Sequence, residues 1–363
     1  MSMHVPELHE LTDGQWEIQD LPPEGNYLVT GGPGSGKTSI AIRRTEFIKS
    51  DDPNSRVKTF LFTNTLNDFF NDGISTLEVE ANVQVWAKWQ RGILKQHNAW
   101  SYGFNEKVPW KELSNQILQL PLKVMFDHLI IDEAQDFSES DLKVMSLISD
   151  NITVFADPNQ LLNSQGIDDL DIIKSILSID DDNAYHLEEN HRNSKEIIEA
   201  AISFAPDELT IDISKVQGNG QKPKLVSHND LNTEVQYISR VVRANRQKSI
   251  GILHLEKKVL YKFYHQLSDS IGADIEFELM KKQTFNFNND NPKLCTLDSA
   301  KGLEFDIVIM PQMNKDNYYE NIINHRRIFV GITRPREELH MTYHGAYPTH
   351  YVSLIDPNKI DKR

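Results

Sequence analysis

The sequence predicts an α/β protein of two domains, each a mostly parallel sheet flanked by helices. Three observations lead there. Short apolar runs rich in β-branched residues alternate with helical patterns, as happens when parallel strands are joined by covering helices. At 363 residues the chain is longer than one domain usually needs and can bury two separate cores. Its 39% hydrophobic and 25% charged residues are those of a globular chain, not a disordered one.

Taken in order, the candidate strands of the first half are Asn26–Thr30, Val57–Thr63, Asp127–Asp132 and Ile152–Asp157. Ala184–Leu187, Lys224–Ser227, Ile250–His254, Leu294–Leu297, Asp306–Met310 and Leu339–Tyr343 follow in the second. The acidic stretch Asp180–Asp182 marks the change of domain, expected as 1–185 and 186–363 with a small insertion near 71–125.

Composition excludes several classes. A single cysteine, Cys295, rules out disulfides and cysteine-rich zinc sites within the chain and fits a reducing cytoplasm. No apolar run approaches the roughly 18 residues of a membrane span, and the N-terminus lacks the pattern of a secretory signal, so a cytoplasmic protein with no membrane partner is expected. A net charge of −15 argues against strong overall attraction to nucleic acid; any such contact must be a local groove.

Chemistry first shows at Gly31–Thr38, which reads Gly-Gly-Pro-Gly-Ser-Gly-Lys-Thr and fits G-x-x-x-x-G-K-[ST]. An apolar strand precedes it, and a helix with Ile40, Phe47 and Ile48 on one face follows. Glycines let backbone N–H groups curl around phosphates where a Cβ would collide. Gly31, Gly32, Pro33, Gly34, Ser35, Gly36, Lys37, Thr38 and the adjoining Ser39 are therefore candidates for binding ATP. Lys37 supplies a point charge, and Thr38 offers its hydroxyl to Mg2+.

Residues 129–136 read Leu-Ile-Ile-Asp-Glu-Ala-Gln-Asp. An apolar strand ending in two acids presents adjacent carboxylates: Asp132 is the candidate Mg2+ ligand, and Glu133 the base for an attacking water. Helix capping does not account for them, because Ser138 with Asp141 already forms a capping box for the next helix.

Together these two segments resemble the UvrD/Rep/PcrA group of superfamily 1 helicases, whose fold is a pair of RecA-like P-loop domains. The resemblance then extends along the chain. Thr12–Gln15 is similar to the Q-motif, implying that Gln15 reads adenine. Phe62, Thr63 and Asn64 are similar to motif Ia, a single-strand contact. Val154–Gln160 is similar to motif III, with Ala156 in place of the usual glycine, and implies a γ-phosphate sensor at Gln160. Leu187–Arg192 is similar to motif IV and implies a phosphate-directed Arg192, followed by a helix capped by Asn193 with Glu196. Thr296–Asp306 contains Lys-Gly-Leu-Glu-Phe-Asp, similar to motif V. It implies nucleotide contacts at Gly302 and Glu304 and nucleic-acid contacts at Thr296 and Ser299, although Asp298 stands where histidine is frequent. Phe329–Arg336 is similar to motif VI and implies an arginine finger at Arg334, with Arg336 expected to be solvated.

The resemblance thus implies an ATPase motor on single-stranded nucleic acid, DNA by analogy, moving 3′ to 5′. Two departures qualify it. The insertion near 71–125 is small, and a second accessory domain is missing from the stretch between Arg192 and Thr296. An alternative is therefore a nucleotide-gated regulatory subunit with a separate protein partner or effector. Among the aromatics of the insertion (Trp86, Trp89, Trp100, Tyr102, Phe104, Trp110), core packing is the preferred reading and base stacking the alternative.

Overall fold

The computed structural model describes residues 5–363 apart from 78–81, 104–105, 107, 207–210, 217, 219, 281–288 and 318. The chain packs as two compact units. One holds the N-terminal residues through Gly31 together with Gly36–Leu187. The other holds Glu188–Arg363, with the tetrapeptide Gly32–Ser35 grouped with it.

The first unit carries strands β1 (Asn26–Gly31), β2 (Val57–Leu61), β3 (Asn82–Val85), β4 (His128–Ile131), β5 (Ile152–Ala156) and β6 (Ala184–Leu187). Its helices are α1 (Asp13–Gln19), α2 (Lys37–Asp51), α3 (Asn64–Thr76), α4 (Trp86–Gln96), α5 (Trp110–Ile117), α6 (Glu139–Ile148) and α7 (Leu170–Leu177). The strands run parallel in the order β3-β2-β4-β5-β1-β6. Every residue of β2, β4 and β5 is buried, as expected for a parallel sheet covered on both faces. At the edge, β3 (Asn-Val-Gln-Val) is only half covered, which is why its sequence does not stand out as a strand. The run Ala184–Leu187, grouped by sequence with the second half, pairs with β1 and completes the first sheet. A change of domain at 185/186 would have cut this strand.

The second unit carries β7 (Lys224–His228), β8 (Ile250–His254), β9 (Glu278–Leu279), β10 (Lys293–Thr296), β11 (Phe305–Met310), β12 (Pro335–His344) and β13 (Asp361–Lys362). Its helices are α8 (Lys195–Phe204), α9 (Leu231–Ala244), α10 (Lys257–Ile271), α11 (Leu297–Ala300) and α12 (Ile322–Ile332). These strands are also all parallel, in the order β13-β7-β12-β11-β8-β10-β9. No helix among the described residues is long and apolar enough to cross a membrane.

One buried acid ties the insertion to the first sheet. Ser138 and Asp141 form the expected capping box on α6. The Asp141 carboxylate also accepts from Trp86 Nε1 (2.7 Å) on α4 and from Ser114 Oγ (2.6 Å) on α5. Trp86 stacks on Trp89 at 4.7 Å, and both rings lie in the core against Phe60. Asp141→Ala strands these buried donors and should destabilise the protein by about 2–4 kcal/mol, while Asp141→Asn, which keeps an acceptor, should cost less. Urea unfolding midpoints at unchanged slope would measure the difference.

Candidate functional site

Because the strands of the first unit are parallel, their carboxyl ends share one edge, the usual position of ligand sites in such sheets. The P-loop follows β1, Phe62–Asn64 follow β2, Asp132 and Glu133 follow β4, and Asp157–Gln160 follow β5. Gly34 and Gly36 have φ of +77° and +87°, a backbone state that L side chains adopt rarely. A Cβ on Gly36 would also lie 2.6 Å from Gln15 Nε2, so the adenine candidate sits directly over the loop. Gln15 is held there by a capping box with Thr12 at the start of α1. Lys37 opens α2 and is buried; its ammonium donates to the Gly31 carbonyl (2.7 Å) and lies 3.8 Å from Asp157 Oδ2.

The carboxylates lie beside this loop. Thr38 Oγ1 donates to Asp132 Oδ2 at 2.7 Å, so the two residues expected at Mg2+ already touch. Asp132 is 1% exposed. Burial, and then the neighbouring Glu133, push its carboxyl well above the usual range, against the pull of Thr38 and Lys37. Glu133 has a left-handed backbone at φ +57°, uncommon for a residue with a side chain. Gln135 Nε2 donates to Glu133 Oε2 at 2.6 Å, while Gln135 Oε1 accepts from Asp157 N at 3.0 Å. Sequence reasoning gave Gln135 no role, although it lies within the carboxylate segment; its bridge to the end of β5 exists only in three dimensions. Gly166 was also missed. Its close approach leaves no room for a side chain, since a Cβ would fall 2.1 Å from the Gln135 carbonyl.

Gln160 Nε2 donates to Asp157 Oδ2 at 2.5 Å, and both side chains are buried. Of the residues expected at nucleic acid in this unit, Thr63 caps α3 by accepting from Leu66 N (3.2 Å), and Asn64 is the first residue of that helix. Phe62 packs edge-on against Phe137 at 5.4 Å.

In the second unit the expected residues cluster around Glu304. Its Oε2 accepts from Arg192 Nε at 2.9 Å, and its Oε1 accepts from Arg336 Nη2. Burial pushes the Glu304 carboxyl up, but Arg192 and Arg336 outweigh it and hold the group at about 2. Arg336 is therefore not the solvated side chain expected: it pairs with Glu304 and lies 3.6 Å from Asp306. The reason is register, since Phe305 of β11 pairs with Pro335 of β12 and sets Arg336 beside both acids.

Asn193 does not cap the following helix either. Ser194 is the N-cap residue, and Asn193 Nδ2 donates to the carbonyls of Thr333 (3.1 Å) and Pro335. The Arg192 turn is thereby fixed to the segment bearing Arg334. Arg334 is 1% exposed. Its guanidinium closes the end of α12, donating to the carbonyls of Val330 (2.9 Å) and Leu303 (3.3 Å) and to Thr333 Oγ1 (3.1 Å).

Gly302 has φ +78° between α11 and β11. Thr296 caps α11, and its hydroxyl donates to Ser299 Oγ at 3.0 Å. Both line a cavity of about 220 Å³ with Lys257, Leu279 and Met280. Asp298 takes two hydrogen bonds from Arg327 (2.6 and 3.0 Å).

Two family profiles match the chain. One, described as AAA domain, matches residues 15–165; the other, described as UvrD-like helicase C-terminal domain, matches residues 185–290 and 274–346. The two sheets are the RecA-like domains expected of that combination. The ATP-dependent DNA helicase Rep of Buchnera aphidicola subsp. Schizaphis graminum (strain Sg) is 31% identical over 134 residues. That match covers 34% of this chain and 18% of Rep, so the chain spans under a fifth of the relative's length. Among solved structures, the C-terminal domain of a possible DNA helicase from Lactobacillus plantarum WCFS1 is 17% identical at a TM-score of 0.39, covering 47% of this chain and 98% of that one.

The Glu304 cluster sets a pH dependence. A carboxyl lowered from 4.5 to about 2 in the folded state contributes stability that is fully present above pH 4.5 and lost as pH falls towards 2. The contribution is on the order of 3 kcal/mol. Glu304→Gln should flatten the fall in stability between about pH 4.5 and 2, read from unfolding midpoints across that range.

Proposed function

Because the chain belongs to the UvrD/Rep-like superfamily 1 helicases, we propose that it is an ATP-hydrolysing motor driven along single-stranded nucleic acid, DNA in particular, in the 3′ to 5′ direction. The observation that carries the reading is the cluster of Lys37, Thr38, Asp132 and Glu133 at one sheet edge, beside glycines in left-handed conformation. Backbone N–H groups of Gly32–Lys37 cradle the phosphates, and Lys37 meets their charge. Gln15 reads the adenine edge.

The donor set fits Mg2+: a hydroxyl touches a carboxylate whose burial raises the cost of its charge, which is an environment a hard cation relieves. Thr38 and Asp132 would hold the ion, which when bound neutralises charge on the phosphates. Glu133, oriented by Gln135, takes the proton of the attacking water. Gln160 and Asp157 report on the γ-phosphate through the same Gln135 bridge. Arg192 and Arg334 supply positive charge to the transferring phosphoryl group, for which Arg334 must leave its acceptors at the end of α12. Glu304 and Gly302 contact the nucleotide. Phe62, Thr63, Asn64, Thr296 and Ser299 contact the strand.

The test is ATPase assay of the purified chain with single-stranded DNA, duplex DNA, RNA or no nucleic acid. Single strands should raise the rate. Lys37→Ala should lower kcat by about 10²–10³-fold or more. Glu133→Gln should cost about 10²–10⁴-fold and Arg334→Ala about 10³–10⁵-fold. Hydrolysis indifferent to every strand would sink the motor and favour a nucleotide-gated subunit serving another protein.

A further inference from the structure

Trp86 and Trp89 are core residues, but the other tryptophans of the insertion are not. Trp110, at the start of α5, is 42% exposed. Its ring lies 6.1 Å from that of Trp100, which is only partly buried and meets Tyr102 edge-on at 5.2 Å. The polar tip of Trp100 is satisfied internally, its Nε1 donating to Tyr102 O at 2.9 Å. Arg91 places its guanidinium 5.2 Å above the Trp100 ring.

Arg91 belongs to α4, whose eleven residues Trp-Ala-Lys-Trp-Gln-Arg-Gly-Ile-Leu-Lys-Gln contain three cations and no acid. Lys88, Arg91 and Lys95 are exposed, and spacings of three and four residues place them along one helix face. In a chain of net charge −15 such a stripe is a local exception. Among the described residues, the acids that follow α4 in the insertion are Glu106, which accepts from Gly103 N (2.8 Å), and Glu112, exposed on α5.

We propose that this surface binds a single strand of nucleic acid, with a base stacked on Trp110 and phosphates along Lys88, Arg91 and Lys95. The charge complementarity selects a polyanion, and the exposed indole selects one with unpaired bases, since only those offer a free ring face. A duplex satisfies the cations and leaves Trp110 without a partner. The inference rests on the motor reading and adds to it a strand contact outside the residues the sequence motifs mark.

The experiment measures fluorescence anisotropy of a labelled oligothymidylate of about twenty nucleotides, an abasic strand of equal length and a duplex, each titrated with the full chain. Trp110→Ala should weaken oligothymidylate binding roughly five- to a hundred-fold, leave the abasic strand unchanged and leave the unfolding midpoint unchanged. Trp110→Phe should retain most of the affinity. Lys88→Ala with Lys95→Ala should weaken both strands alike and reduce the salt slope by about 1.4. Equal affinity of wild type and Trp110→Ala for oligothymidylate, the same loss on the abasic strand, or tighter binding of the duplex would overturn the proposal. If single strands stimulate the wild-type ATPase while Trp110→Ala binds normally, the platform fails and the motor stands. If they neither stimulate nor bind, both fail.

Discussion

Two adjacent carboxylates buried at the end of β4 are the constraint around which the first unit is built. Asp132 and Glu133 repel each other in a place where water cannot screen them. Each neighbour answers that cost. Thr38 donates to Asp132, Gln135 donates to Glu133, and Lys37 stands at the same sheet edge. The strained backbone of Glu133 and the side-chain-free Gly166 behind Gln135 serve the same arrangement. Such a cluster is poorly stabilised by its own contacts, and the proposed ATP and Mg2+ supply the compensating groups.

The second unit inverts the charge. Glu304 is held between Arg192 and Arg336, the latter also near Asp306, and the field of the two arginines keeps Glu304 ionised despite burial. Asn193 joins the Arg192 turn to the end of α12, so two arginines far apart in sequence share one rigid support. Arg334 donates to the carbonyls of Val330 and Leu303 and to the Thr333 hydroxyl, which fix its guanidinium at the end of α12.

The insertion shows how burial sorts residues of one type. Trp86 and Trp89 follow β3 and turn inward because α4 begins against Phe60 and α6. Trp100 and Trp110 come after α4; Trp100 packs partly buried against the edge of the core, and Trp110 is exposed. Core packing thus holds for Trp86 and Trp89 and in part for Trp100, and fails for Trp110. Phe104, grouped with them by sequence, lies outside the described residues.

What the sequence by itself determined was local: ten strand segments, the phosphate loop between β1 and α2, the acids ending β4 and the α6 capping box. Apolar runs, glycines and caps act over a few neighbours and are therefore written in order along the chain. Only the tertiary structure decided pairing. Edge strand β3 was too polar to read, β6 joined the first sheet by register with β1, and Asn193 turned from a helix cap into a bridge to Thr333 and Pro335. Arg336 became an ion-pair partner because β11 and β12 lie side by side, and Gln135 acquired a role because β5 lies next to β4. Those contacts join residues distant in sequence, and their partners are fixed by sheet order, which no local pattern specifies.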